Sequence, residues 1–191
     1  MFINILIFKI LNKMKNKKIT IDIETTGLNP WKFQLTCIGA KDNSGKNHFL
    51  ESLKDRTEKQ LITDFRDWLY ERYKECDEKV TFVLVSHNGL KFDFPFILTR
   101  ALLNDLKLDA NSEILLNSEN QDSITITKGW IKLDEYAQIY GLPHKTGNGR
   151  RAIELYKNGN FEELEKYCWQ DVLITEKVNQ KLIEHGVKFT N

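Results

Sequence analysis

The chain has 191 residues, 41% hydrophobic and 29% charged, with ten Gly and only three Pro, the composition of one ordinary globular domain. A chain of this size buries roughly 70% of the surface its unfolded form exposes, so its core needs no disulfide or zinc staple. The length excludes a mini-protein as well as a polymerase or multidomain motor. Net charge is +1, but residues 1–18 hold five lysines and no acid, leaving 23 basic against 27 acidic groups in residues 19–191. Attraction to nucleic acid therefore requires a local basic patch or bound cations.

Residues 2–11 form an apolar run that precedes its lysines, the wrong polarity for a signal peptide, and no small-residue cleavage site follows. About ten apolar residues fall short of the roughly 20 that span a bilayer. Residues 1–17 are read as a basic, apolar N-terminal extension, with an interfacial anchor as the alternative, and residues 18–191 as a single domain without a membrane partner. Cys37, Cys76 and Cys168 are odd in number and widely spaced, which predicts buried free thiols and a cytoplasmic location.

In chain order, Ile19–Glu24 predicts a strand, and 35–41 with 46–51 predict a hairpin around Asn43-Ser44-Gly45. The periodicity of Leu61, Phe65, Trp68 and Leu69 predicts a helix over 58–75, and Val80–Ser86 a wholly apolar buried strand. A helix follows Asp93, with Pro95 tolerated in its first turn. Residues 107–131 are polar and carry no clear period. Helices follow near 132–140, 149–157 and 161–184, the last opened by Asn160 as N-cap with Glu163 three residues on, as in a capping box. Strands mixed with helices and a helical finish predict an α/β layered domain.

Three segments carry chemistry. On the first strand Ile19, Ile21 and Ile23 share one face, while Thr20, Asp22 and Glu24 share the other. Same-face residues lie roughly 6.6–6.8 Å apart, so two carboxylates there can converge on one cation or cation pair; alone, the pattern equally describes a solvated polar face. Asn88 and Asp93 follow the apolar strand, where Asp93 alone could be a plain N-cap. On the last helix Leu164, Tyr167, Asp171, Ile174, Val178 and Leu182 form one inward stripe, and Asp171 stands where a core helix wants Leu. A buried carboxylate is costly unless paired, hydrogen-bonded or on a metal. Four convergent acids are tolerated when cations neutralise them, and an all-oxygen set favours Mg²⁺ or Mn²⁺ over Zn²⁺.

Asp22-Ile23-Glu24, then Asn88-x-x-x-Phe92-Asp93, then Tyr167-x-x-x-Asp171, with acids 71 and 78 residues apart, resemble the three exonuclease motifs of the DEDD superfamily in its tyrosine-bearing DEDDy branch. The stretch from Leu133-Asp134 to Lys145, with Tyr167-Cys168-Trp169-Gln170-Asp171-Val172, is similar to stand-alone relatives of the family-B DNA polymerase proofreading domain. The resemblance implies an RNase H-like fold, a central mixed sheet flanked by helices. It also implies 3′-to-5′ hydrolysis of single-stranded nucleic acid, DNA favoured, from its 3′ end, with nucleoside 5′-monophosphates released. Asp22, Glu24, Asp93 and Asp171 would hold two ions, Mg²⁺ or Mn²⁺, and Tyr167 would orient the attacking water. Thr25, Thr26 and Leu28 would line the terminal nucleotide and Asn88 would touch the strand. Lys145, Arg150 and Arg151, in a Gly-rich loop, could grip phosphates, and Trp31 or Trp130 could stack on bases. A chain without a polymerase region implies a protein partner that supplies context. The competing readings are an exoribonuclease and a nucleic-acid-binding module that keeps the fold without turnover.

Overall fold

The computed structural model describes residues 16–126, 131–143 and 149–189. Five strands, β1 (Asn16–Thr25), β2 (Leu35–Asp42), β3 (His48–Ser52), β4 (Thr81–Ser86) and β5 (Glu119–Asp122), form one sheet in the order β3-β2-β1-β4-β5. β1–β2 and β2–β3 pair antiparallel, whereas β1–β4 and β4–β5 pair parallel. The helices are α1 (Glu58–Lys74), α2 (Asp93–Leu103), α3 (Ala110–Asn117), α4 (Leu133–Ile139), α5 (Gly149–Lys157) and α6 (Phe161–Glu184), with a 3₁₀ turn at Ser123–Ile126. This is the mixed sheet flanked by helices that the motifs imply. β1 begins at Asn16, whose register partner is Thr81, so the sheet reaches into the basic stretch before Ile19.

The core lies mainly on one face, where Ile19, Ile21 and Ile23 of β1 meet Leu61, Ile62, Phe65 and Leu69 of α1 and Phe94, Phe96 and Ile97 of α2. α1 is started by a capping box: Thr57 Oγ1 accepts the Gln60 N–H, and Gln60 Oε1 accepts the Thr57 N–H. The opposite face of β1 is covered at Thr20 and Glu24 and half-covered at Asp22. α6 crosses β1 and β2 there, so Thr20 and Glu24 are buried as fully as apolar neighbours.

Asn160 is the N-cap of α6, its carbonyl accepting the Leu164 N–H, but its side chain makes no cap bond, so the capping box with Glu163 does not form. Gly159 adopts φ +71° and the Asn160 N–H donates to Leu155 O, closing the end of α5. One assignment is corrected. Phe92, not Asp93, precedes α2, and Asp93 is the first residue of the helix. Of the cysteines, Cys37 and Cys168 are buried and Cys76 is half-buried, all three free. Among the described residues no helix is long and apolar enough to cross a membrane.

Candidate active site

β1, the first turn of α2, and α6 bring Asp22, Glu24, Asp93, Tyr167 and Asp171 into one neighbourhood, each acting electrostatically on at least one of the others. Asp22 and Glu24 project from β1 beneath α6, and a register shift between Glu24 and Thr25 ends the regular strand directly after them, a bulge that re-aims the chain at the edge of the site. Asp93 is 5% exposed. Burial pushes its carboxyl up to about 7; the N–H groups of Asp93 itself and of Ile23 oppose this, while the charges of Asp122 and Asp171 reinforce it. One turn before Asp171, the Tyr167 phenol is raised well above its ordinary value by burial and then by the charges of Asp171, Glu24, Asp134 and Asp22. Tyr167 thus remains a protonated hydrogen-bond group and a poor base.

Cys168 completes the floor. Its Sγ lies 3.6 Å from the Asp22 carbonyl oxygen and 3.7 Å from Asp22 Oδ2. Asp22, Glu24 and Cys168 can each offer a ligand atom within 4.8 Å of the other two. Burial, then Cys37 and the charges of Asp22 and Glu24, hold the Cys168 thiol far up the scale. It is therefore a thiol rather than a thiolate, and the available donors are carboxylate oxygens, a set suited to a hard divalent cation. The Asp93 carboxyl is raised first by burial and then by the charges of Asp122 and Asp171, and the charge part is one that such a cation would relieve.

Gly39 sets the height of α6. It faces Asp22 in the β1–β2 register, and a Cβ there would lie 2.9 Å from Val172 Cγ2 and 3.0 Å from Cys168 Sγ. No feature of the local sequence announces this role, because it arises from the helix passing over the strand.

The softer candidates divide. Thr25 Oγ1 donates to Gly27 O at 2.9 Å, and Thr26 Oγ1 accepts the Gln34 N–H at 2.9 Å, so both hydroxyls shape the β1–β2 loop. That loop is tied down by Arg100, which donates to Pro30 O and pairs with buried Glu58, itself an acceptor for the Leu35 N–H. From the tethered loop Leu28 and Trp31 stand 82% and 68% exposed. Asn88 adopts φ +69° and its Oδ1 is buried with no hydrogen-bond partner. Arg150 and Arg151 are exposed on α5. Lys145 and Trp130 lie outside the described residues. Sequence reasoning missed Cys168 as a neighbour of Asp22, and Asp122 altogether.

The sequence pattern of the RNase_H superfamily matches residues 19–183. The chain belongs to the RNase_H superfamily. It is 31% identical to an uncharacterized protein of Methanocaldococcus jannaschii over 162 residues, covering 79% of this chain and 85% of that one. It is 23% identical to a DNA polymerase of Pyrococcus horikoshii over 194 residues, 87% of this chain but 16% of the polymerase. The family-B DNA polymerase structure from Pyrobaculum calidifontis superposes with a TM-score of 0.72 at 20% identity, covering 87% of this chain and 24% of that one. This superfamily member is thus related to a small part of much longer polymerases and matches its archaeal relative over most of both lengths.

Proposed function

We propose that the chain is a metal-dependent 3′-to-5′ exonuclease of the DEDDy type, acting on the 3′ end of single-stranded nucleic acid, with DNA favoured. The observation that carries this reading is the convergence of carboxylates from β1, the first turn of α2, and α6 around one tyrosine. Asp22, Glu24, Asp93 and Asp171 would hold two Mg²⁺ or Mn²⁺ ions, which supply Lewis acidity at a scissile phosphate and generate a nucleophile from water at neutral pH. The chain's own groups supply position. The protonated Tyr167 hydroxyl holds the attacking water in line, and its high pKa leaves it no role in taking the proton. Thr25, Thr26 and Leu28 form the wall beside the terminal nucleotide, Asn88 lies beneath the strand, and Lys145 and Arg150 meet its phosphates. Leu28 and Trp31, exposed on a tethered loop, suit bases that stack on apolar surfaces.

The deciding experiment is digestion of 5′-labelled single strands, DNA and RNA in parallel, with free and blocked 3′ ends, in Mg²⁺, Mn²⁺ and chelator. Metal-dependent, stepwise shortening only of strands with a free 3′ end is expected. Cleavage that ignores the 3′ block, or that persists in chelator, would discard the reading.

A further inference from the structure

Asp122 closes β5, pairs in register with Ser86 at the end of β4, and is 1% exposed. Its carboxylate gathers backbone N–H groups. Oδ1 accepts from Asn88 at 2.6 Å and from Ile124 at 3.2 Å, and Oδ2 accepts from Leu90 at 3.1 Å. Asn88 and Leu90 belong to a different segment, 34 and 32 residues earlier in the chain. One carboxylate thus spans from the 3₁₀ turn to the loop that leads into α2.

That loop is unusual backbone. Asn88 is left-handed at φ +69°, a conformation uncommon for a residue with a Cβ that persists where the surroundings over-determine it. At Gly89 a Cβ would lie 2.5 Å from Ser86 Cβ, so the turn folds back onto its own strand. From there the geometry runs forward through main-chain bonds. The N–H groups of Lys91 and Phe92 donate to Asn88 O, and that of Phe94 donates to Gly89 O. Asp93 lies inside this set, so its carboxylate goes where Asn88 and Gly89 are held. A parallel latch joins the same two segments, with His87 Nδ1 and Ser123 Oγ 2.7 Å apart, and from α4 the Tyr136 hydroxyl donates to Ser123 O.

We propose that Asp122 is a positioning residue, a clamp that fixes the turn bearing Asn88 and thereby sets Asp93 in register with Asp22, Glu24 and Asp171. The proposal rests on the metal-dependent reading above. A fifth acid near Asp93 adds negative charge to the neighbourhood of that carboxyl. Its compensation is three charge-assisted bonds, two of them to the turn at Asn88 and Leu90 and one within its own 3₁₀ turn, which a neutral side chain with one acceptor oxygen cannot reproduce. Groups that hold metal ligands in this way typically change affinity or rate 10- to 100-fold when altered.

The test uses the full chain and Mn²⁺ as the probe. In Asp122→Asn, the Mn²⁺ dissociation constant measured by calorimetry is expected to rise about tenfold. On a 5′-labelled strand kcat should fall 10- to 100-fold while KM stays within about twofold, the signature of a lost arrangement rather than lost substrate binding. Amide exchange at Asn88 and Leu90 should accelerate. Asp42→Asn is the control, since Asp42 also holds a turn through its side chain but at the far end of the sheet; its Mn²⁺ affinity and kcat should match the wild type. If Asp122→Asn proves poorly folded, Asp122→Glu, which keeps the charge, provides the same readouts at a displaced position. Wild-type Mn²⁺ affinity and kcat in a folded Asp122 variant would overturn the clamp. A wild-type protein that binds no Mn²⁺ would instead remove the metal reading, and the clamp with it.

Discussion

Two buried aspartates at opposite ends of the sheet show how differently one side chain is treated. Asp42, at the end of β2 away from the site, is fully buried, yet it faces Ser44, Asn47 and Lys17. Burial raises its carboxyl, but those partners outweigh burial and hold it at about 2. Asp93 is also buried; burial, reinforced by the charges of Asp122 and Asp171 and only partly opposed by backbone N–H groups, drives its carboxyl up to about 7. The first end is neutralised by the protein's own groups. At the second, like charges act on a buried carboxyl, which under the proposed metal-dependent reading a bound cation would relieve.

The comparison can be broken at several points. The largest effect is expected for Asp22→Asn or Asp171→Asn, with exonuclease turnover lost on the order of 10³-fold, about 4 kcal/mol of barrier, and a near-normal circular dichroism spectrum; full activity in Asp171→Asn would end the two-metal scheme. Next is the pH response in chelator. A carboxyl raised in the folded state makes stability fall as pH climbs from about 4 through about 7. Asp93→Asn should flatten that slope and raise Tm at pH 8 by several degrees, whereas millimolar Mn²⁺ should raise the Tm of the wild type and not of the variant. Gly39→Ala should cost about 1–3 kcal/mol by overpacking and lower turnover as well, because the displaced helix carries Tyr167 and Asp171; denaturant unfolding beside an activity assay separates the two. Tyr167→Phe should slow turnover about tenfold, or 1.4 kcal/mol, with Mn²⁺ affinity unchanged. Asp42→Asn should cost about 1–2 kcal/mol at pH 7. Since its carboxyl is depressed, that stability is present above about pH 4 and lost as pH falls toward 2; the variant and the wild type should therefore converge in acid, which urea titrations at pH 7 and pH 2.5 would show.

Much of this was legible in the residues, for identifiable reasons. β1, β4, α1 and α6 bury long periodic faces, and a buried face leaves its period in the sequence. The acids on β1 and α6 interrupt those periods, which is what made them conspicuous. β5 was illegible: Glu119-Asn120-Gln121-Asp122 contains no strand-forming side chain, and only its pairing with β4 makes it a strand. Asp122 was hidden with it, since its partners are main-chain groups more than 30 residues distant. Asn160 is legible as a cap position but not as a capping box: its carbonyl opens α6 and its N–H closes α5, while its side chain makes no cap bond.

A strand that contributes no charged group to the cluster nevertheless fixes its dimensions. Because a hydrogen atom stands at position 39, where every other residue would place carbon against Val172 and Cys168, the gap between the first and third acid-bearing segments is a matter of van der Waals radii. Under the proposed metal-dependent reading, a change on β2 could therefore retune the site by shimming a helix up or down, while every carboxylate is left unchanged.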